Sequence, residues 1–353
     1  LLAVSGCRTS QATPQHTTRK TQHATRNTQD ATTVTLAAVG DILLDRDVGK
    51  KIDEFGIDYP FQKVADVLSS ADIAFGNLEC PLSEKGAKVI KPFVFQAKPR
   101  NVQCLVKAGL DVVSLANNHT MDCGRTGLVE TMETLRQNGV RWCGAGRHRE
   151  DAEAATVLQV KGIKVAFVGF CDFIPEGAFL RDDKPTMAMA SEENIRKSVA
   201  AAHKKADVVI ASFHWGVEFD SRPSERQIKF AHAAAESGGD LVLGHHPHVL
   251  QGIEVKQFHA SRIMHHSLIA YSLGNFVFDQ RRYGAMTSNT AILRCTLNKR
   301  GVVSAEVVPV KIEKCRPRPA TEEEAKTILT RLTTLCGELE TRMEEGQVVI
   351  RDR

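Results

Sequence analysis

Residues 241–249 read LVLGHHPHV. A short run of branched apolar residues has strand character, and the glycine and proline that follow mark a tight turn. Three imidazoles are delivered into that turn. Pro247 stiffens it, so His246 and His248 are set to project into one space, with His245 packing behind or supporting them. The arrangement recurs along the chain. VTLAAVGD (34–41) ends at Asp41, ADIAFGNLE (71–79) at Asn77 and Glu79, DVVSLANNH (111–119) at Asn117, Asn118 and His119, and DVVIASFHW (207–215) carries His214 near its end. Each has an ordinary explanation when taken alone. Gly-Asp and Asn-Asn-His are turn or cap chemistry, and His214 beside Trp215 suits a core. Five strand ends that each carry a carboxylate, amide or imidazole point further, because sites in open α/β sheets gather beyond the carboxyl ends of the strands.

Helical spacing separates these strands, at 60–71, 101–110, 127–139, 194–206 and 224–239. Further strand signals are TVLQV, KVAFVGF, IAYSLGNFVF, AILRCTL and VVSAEVVPVKI. Most strands are continuous apolar runs. The pattern predicts an α/β protein whose sheets are buried on both faces. Residues 83–100 read as a Gly/Lys/Pro-rich loop, His265-His266 as a solvated loop, and 321–346 as one amphipathic terminal helix. No internal repeat is present. Nor is there a GxxxxGK[ST] or a GxGxxG after a strand, so no phosphate-cradling glycine loop is assigned.

The donor set fits metal chemistry. Imidazole nitrogen and carboxylate oxygen suit Zn, Mn, Fe and similar divalent ions. Asp41, Glu79, Asn118, His214, His246 and His248 supply six ligands. With one carboxylate bridging, they serve two ions and leave each an open position for water. His119, next to the amide ligand, is placed to protonate a leaving group. Asn77, Asn117, Asn275 and Arg125 are the candidates for substrate contact, although Gly274-Asn275 could simply form a turn. Lys91 and Arg125 are loop-borne cations that could hold an anion or face solvent.

The order GD … GNLE … NNH … H … HPH resembles a variant of the calcineurin-like metallophosphoesterase pattern. The longer blocks GNLECPLS (76–83), KPFVFQAKP (91–99), VVSLANNHTMDCGRTGL (112–128), SFHWGVEF (212–219), GHHPHVLQGIE (244–254) and YSLGNFVFD (271–279) resemble the CapA family of poly-γ-glutamate capsule biosynthesis proteins. The resemblance spans roughly residues 34–312. It implies a metallophosphatase-like sandwich of two β-sheets flanked by helices, with poly-γ-glutamate or capsule polymer as its business. It further implies that Asp41, Glu79 and His248 hold one metal and Asn118, His214 and His246 a second, with Glu79 or a neighbour bridging. His119 matches the general-acid position. The chain departs from the phosphoesterase pattern at GDIL, where Asp-x-His would stand: residue 43 is leucine. Glu79 also stands where that pattern has a bridging aspartate.

Residues 4–7, Val-Ser-Gly-Cys, resemble a lipobox, which would make residues 1–7 the remnant of a signal peptide and Cys7 the lipidated residue. Residues 8–33 are rich in Thr, Gln, Arg and Asn and hold no large apolar side chain, so a disordered tether is expected there. The expected organisation is then this tether, a metallophosphatase-fold domain over 34–315 and a helical extension over 316–353. The implied setting is an exported, membrane-anchored lipoprotein at the cell surface or in the periplasm. Its partners would be an anionic polymer such as poly-γ-glutamate or cell-wall material, the membrane, and polymer synthase subunits. Of nine cysteines, eight remain besides Cys7; they form no CxxC and suit either disulfides or buried thiols. The net charge of +4 is modest and no dense Lys/Arg block interleaves with aromatics, which argues against nucleic acid as a partner.

Overall fold

The computed structural model describes residues 1–2, 32–177, 179–260, 263–279 and 284–350. Cys7 and the tether at 8–33 lie outside the described residues. From Thr32 onward the chain forms one unit. Its strands are β1 (Val34–Ile42), β2 (Ile73–Leu78), β3 (Val112–Ser114), β4 (Arg141–Cys143), β5 (Thr156–Val160), β6 (Ile163–Cys171), β7 (Val208–His214), β8 (Leu241–His245), β9 (Ile253–Ala260), β10 (Ile263–Ala270), β11 (Asn275–Val277), β12 (Asn289–Asn298), β13 (Gly301–Glu313) and β14 (Arg316–Pro319).

Two sheets result. In the larger, β13, β12, β1, β2, β3 and β4 lie side by side, with β11 pairing to β1 and β14 to β13. β1 to β4 run parallel. In the smaller, the order is β9, β10, β8, β7, β6, β5, and the four central strands are parallel. Successive residues of a strand face opposite ways, and the sequence uses both faces. Val34, Leu36 and Ala38 of β1 meet Val165, Phe167, Ile210 and Leu243 of the other sheet in one apolar layer. Ala37 and Val39 face a second layer under helices Val102–Ala108 and Gly124–Gln137. Ala166, Val168, Val209 and Val242 face a third, under helices Glu192–His203 and Glu225–Glu236. The architecture is therefore helices, sheet, sheet, helices: the two-sheet α/β sandwich expected from the sequence.

Three local expectations change. IAYSLGNFVF is two strands, not one: β10 ends at Ala270 in the small sheet, and β11 begins at Asn275 in the large one. The segment 271–274 crosses between the sheets. It explains two glycines. A β-carbon at Gly40 would lie 1.9 Å from the Gly274 carbonyl oxygen, and one at Gly244 would lie 1.8 Å from that of Tyr271. The crossover thus rests against the last turns of β1 and β8, with Asp41 N donating to Gly274 O and Leu273 N to Gly244 O. Next, His265-His266 are not in a loop but inside β10, paired with β9. Finally, the terminal helix stops at Glu338; residues 343–344 and 347–348 form a hairpin on β13, and residues 316–319 are β14. The eight cysteines from Cys80 to Cys336 are buried, and seven of them, all but Cys315, are described as free thiols. No helix among the described residues is long and apolar enough to cross a membrane.

Candidate metal centre

The carboxyl ends of β1, β2, β3, β7 and β8 meet at one place, and each brings its polar group. Asp41 is the last residue but one of β1 and Glu79 follows β2; both are buried. Asn118 and His119 follow β3, His214 ends β7, and His246 and His248 follow β8. The HPH turn holds its histidines at positive φ, 95° for His246 and 58° for His248. Side chains with a β-carbon rarely adopt that region, and such strain persists where the surroundings over-determine it.

Glu79 is the odd member. Its carboxyl group is 1% exposed, and neither oxygen has a hydrogen-bond partner. Around Oε1 stand three imidazole nitrogens, Nε2 of His119, His214 and His248, at 3.9, 3.9 and 3.8 Å. Those distances are too long for hydrogen bonds. They suit donor atoms grouped around a divalent ion, because ligands about 2.1 Å from one metal lie roughly 3–4.2 Å from each other. Asp41, Glu79 and His248 each offer an atom within 4.8 Å of the others. A second group sits alongside: His214 Nε2 lies 3.0 Å from Asn118 Oδ1 and 3.2 Å from His246 Nδ1. These donor sets fit divalent metals. Leu43, where the phosphoesterase pattern has a histidine, is buried in the apolar core with Ile42 and Leu44 and gives no donor.

The buried acids and imidazoles perturb one another. Burial, then the nearby Asp41 charge, pushes the Glu79 carboxyl well above the usual carboxylate range. Burial would raise Asp41 as well, but hydrogen bonding to His245 and His248 outweighs it and holds that carboxyl well below the range. Burial opposes the charged form of His248, yet Glu79 and Asp41 together raise it to about 9. Burial and the neighbouring imidazoles depress His214 well below its ordinary value and His246 to about 3. Both therefore present neutral rings with lone pairs.

Supporting contacts orient the set. Asn275 Oδ1 lies 2.9 Å from His248 Nδ1, which leaves Nε2 facing Glu79. Asn77 donates from Nδ2 to Asp41 Oδ1 at 2.9 Å, and Asn117 donates from Nδ2 to Asn77 Oδ1 and to Leu78 O. Asn77, Asn117 and Asn275 are fully buried, with both ends of each amide engaged. The three residues expected to touch substrate stand behind the ligands as their frame. Arg125, the fourth, lies outside the cleft and donates to Phe179 O.

His119 lies on the cleft wall. Its ring stacks on Phe95 at 3.8 Å, and Nδ1 is 2.7 Å from Asp122 Oδ2. Lys91, read from sequence as a loop cation, is instead buried in an ion pair with Asp122 at 2.5 Å and also donates to Asn118 O. Burial lowers His119 more than Asp122 raises it, so the neutral ring with a free Nε2 is favoured. The cleft itself is a cavity of about 180 Å³. It is walled by His119, His248, Phe93, Phe95 and Phe278, with Arg46 and Glu218 at its edge. Sequence reading missed four of these parts. Arg46 pairs with Asp279 and lies over Phe95 at 4.8 Å. Glu218 comes within ligand reach of His246 and His248. Asp122 had a signal in the His-x-x-Asp spacing, and Glu218 in its position four residues after His214; Arg46 and Asp279 had none.

The chain was also compared with known proteins. The family model described as bacterial capsule synthesis protein PGA_cap matches residues 35–280. The capsule biosynthesis protein CapA of Bacillus anthracis is 34% identical over 296 residues, 82% of this chain and 70% of that protein. The PGA biosynthesis protein CapA of Bacillus subtilis is 34% identical over 300 residues, 84% and 76% of the two chains. Among solved structures, a 5′-nucleotidase precursor from Thermus thermophilus aligns with a TM-score of 0.45 at 12% identity, covering 88% of this chain and 60% of that one.

Proposed function

The chain belongs to the bacterial capsule synthesis protein PGA_cap family, and from that premise we propose that it acts in making or processing a capsule polymer of the poly-γ-glutamate kind. We infer further that its centre is hydrolytic, cutting a phosphoester or a γ-glutamyl amide with one or two divalent ions such as Mn, Zn or Fe. The single observation that carries this is Glu79: a buried carboxylate without a hydrogen bond, ringed by imidazole nitrogens at 3.8–3.9 Å. A carboxyl group so placed is kept either as the neutral acid or against a cation, and a ring of imidazole nitrogens around it suits the cation.

Asp41, Glu79 and His248 would hold one ion; Asn118, His214 and His246 would hold the second if it is present. Bound there, the metal would supply a hydroxide near neutral pH and polarise the bond under attack. The protein's own part is positioning and proton movement. His119 exchanges a proton at Nε2 with the reacting group, while Asp122 fixes the ring through Nδ1 and Lys91 fixes Asp122. The buried Phe95 and Phe278 keep water from that side of the cleft, and the exposed Phe93 stands at its mouth. We also propose the exported, Cys7-anchored setting, which a Cys7→Ser variant tests by moving the protein out of the membrane fraction.

Elemental analysis of purified protein tests the centre. One to two divalent ions per chain, lost in His246→Ala and His248→Ala, together with metal-dependent release from a phosphoester or γ-glutamyl amide panel, is the expected result. A metal-free parent that stays inert after reloading with Mn or Zn would overturn it. One observation favours a second reading, in which the protein binds, exports or anchors the polymer without cutting it: Leu43 removes a ligand from the phosphoesterase set.

A further inference from the structure

The residues after β7 fold back over the HPH turn, and their backbone is fixed from three sides. Trp215 is fully buried, with N donating to His245 O at 3.1 Å and Nε1 to Tyr271 O at 2.9 Å. Those bonds pin the root of the loop to β8 and to the crossover. Gly216 then turns the chain at φ 86°, where a β-carbon would lie 2.6 Å from Gln227 Oε1. Behind the loop, the buried Gln251 donates to the carbonyls of Asp220 and Arg222 at 3.0 and 3.1 Å, and Gln227 Nε2 donates to Gln251 Oε1 at 2.9 Å. In front, Phe219 N donates to Pro247 O at 2.8 Å. Phe219 makes that bond at φ 67°, a region that bulky side chains rarely enter. Glu218 is the residue this arrangement presents to the HPH turn.

Its carboxylate offers an oxygen within 4.8 Å of one nitrogen of His246 and one of His248. Both rings are buried, while Glu218 itself is exposed at the mouth of the cleft. Its charge is felt by Glu79 and by His248. Glu79 lines the same cavity from the buried side, and neither of its oxygens has a hydrogen-bond partner. An unpaired carboxyl group below and a carboxylate above thus enclose His248, which belongs to both donor groups.

Two needs of the centre meet at this residue. Two divalent ions bring more positive charge than Asp41 and Glu79 balance, and Asn118 and the neutral imidazoles add no negative charge. Leu43, buried in the apolar core, gives no donor where the phosphoesterase pattern has one. A carboxylate at 218 supplies both a ligand and a negative charge. It also moves the donor balance towards oxygen, which suits Mn.

We propose that Glu218 is a metal ligand, whose carboxylate joins His246 and His248 and completes the centre from the solvent side in place of the donor absent at residue 43. The proposal rests on the metal-centre reading above and adds a ligand to it.

The test titrates Mn(II) calorimetrically into the metal-stripped full chain, into Glu218→Gln and into Glu225→Gln, an exposed acid at the start of the next helix. Mn(II) binding should weaken about tenfold or more in Glu218→Gln and stay unchanged in Glu225→Gln. In chelator Glu218→Gln should melt with the parent, and only the rise in Tm that Mn(II) brings should shrink. The visible absorption of the Co(II)-loaded protein should also change in Glu218→Gln, because a ligand has been replaced. Parent-like Mn(II) affinity and an unaltered Co(II) spectrum in Glu218→Gln overturn the proposal. So does a variant that melts lower in chelator but keeps its affinity, since that marks a role in the loop alone. His248→Ala separates this failure from that of the centre. If the parent binds metal, His248→Ala loses it and Glu218→Gln keeps it, the centre stands and Glu218 is no ligand. A parent that takes up neither Mn(II) nor Co(II) overturns both.

Discussion

Glu79→Gln separates what a buried, unpaired carboxyl group costs from the stabilisation a metal gives it. In the metal-free protein Glu79 is 1% exposed and both oxygens lack a partner. A buried polar group left unpaired costs about 1–3 kcal/mol, and more when it is charged. Glutamine keeps the shape and cannot ionise, so it escapes the burial and the Asp41 repulsion that push the carboxyl upward. The amide stays poorly paired, so the net relief should be about 1–2 kcal/mol. For a unit running from Thr32 to Arg353 that is a rise of about 1.5–3 °C in Tm, measured by calorimetry in chelator. Metal reverses the ranking. An ion at 100 times its Kd stabilises the parent by about 2.7 kcal/mol, and the variant should gain little because it has lost the carboxylate shared by both donor groups. The parent should therefore start lower and finish higher. A variant that melts below the parent in chelator, or that gains as much as the parent from Mn or Zn, would refute the assignment of Glu79 as the metal's carboxylate.

Other outcomes follow from contacts already described. Asp122→Ala strands Lys91 as a buried unpaired cation and should cost about 3–5 kcal/mol. In denaturant melts Lys91→Met/Asp122→Leu should recover most of that, while turnover stays low because His119 has lost its anchor. Gly244→Ala forces a β-carbon into the Tyr271 carbonyl and should cost about 3 kcal/mol or prevent folding, whereas Gly337→Ala, in a helix with open space around it, should gain about 0.5–1 kcal/mol; expression and urea midpoints check both. Glu254 accepts from Tyr271 Oη at 2.7 Å and lies 2.9 Å from His232 Nε2. Burial would raise its carboxyl, but these two contacts outweigh it and hold the group below its ordinary value. Its contribution is thus complete above the unfolded pKa of about 4.3 and is lost as pH falls below that. Glu254→Gln should flatten that part of the acid unfolding curve, and an unchanged slope would count against the contact.

The metal-type ligands were legible because strand-end chemistry is local. An apolar run followed by Gly-Asp, Asn-Asn-His or His-Pro-His states both where a strand stops and what it presents there. The parts that escaped are those whose meaning lies in a distant segment. Arg46 acquires its place only through Asp279, 233 residues away. Lys91 looked like a solvent-facing loop residue because nothing nearby shows that Asp122 folds back to meet it. IAYSLGNFVF misled for the same reason. Its apolar pattern is continuous, and the break at 271–274 is imposed by two sheets that must be joined just where Gly40 and Gly244 let the backbone pass. That crossover bears on function. It is hydrogen-bonded to Asp41 N on one side and Gly244 O on the other, so the strand ends carrying Asp41 and the HPH turn cannot separate without breaking it. Asn275, the first residue beyond it, then reaches back to His248. The motif read from sequence as a possible turn thus ties together ligands from both sheets. A change that loosens it, such as Asn275→Ala, should weaken metal binding at His248 more than it lowers Tm.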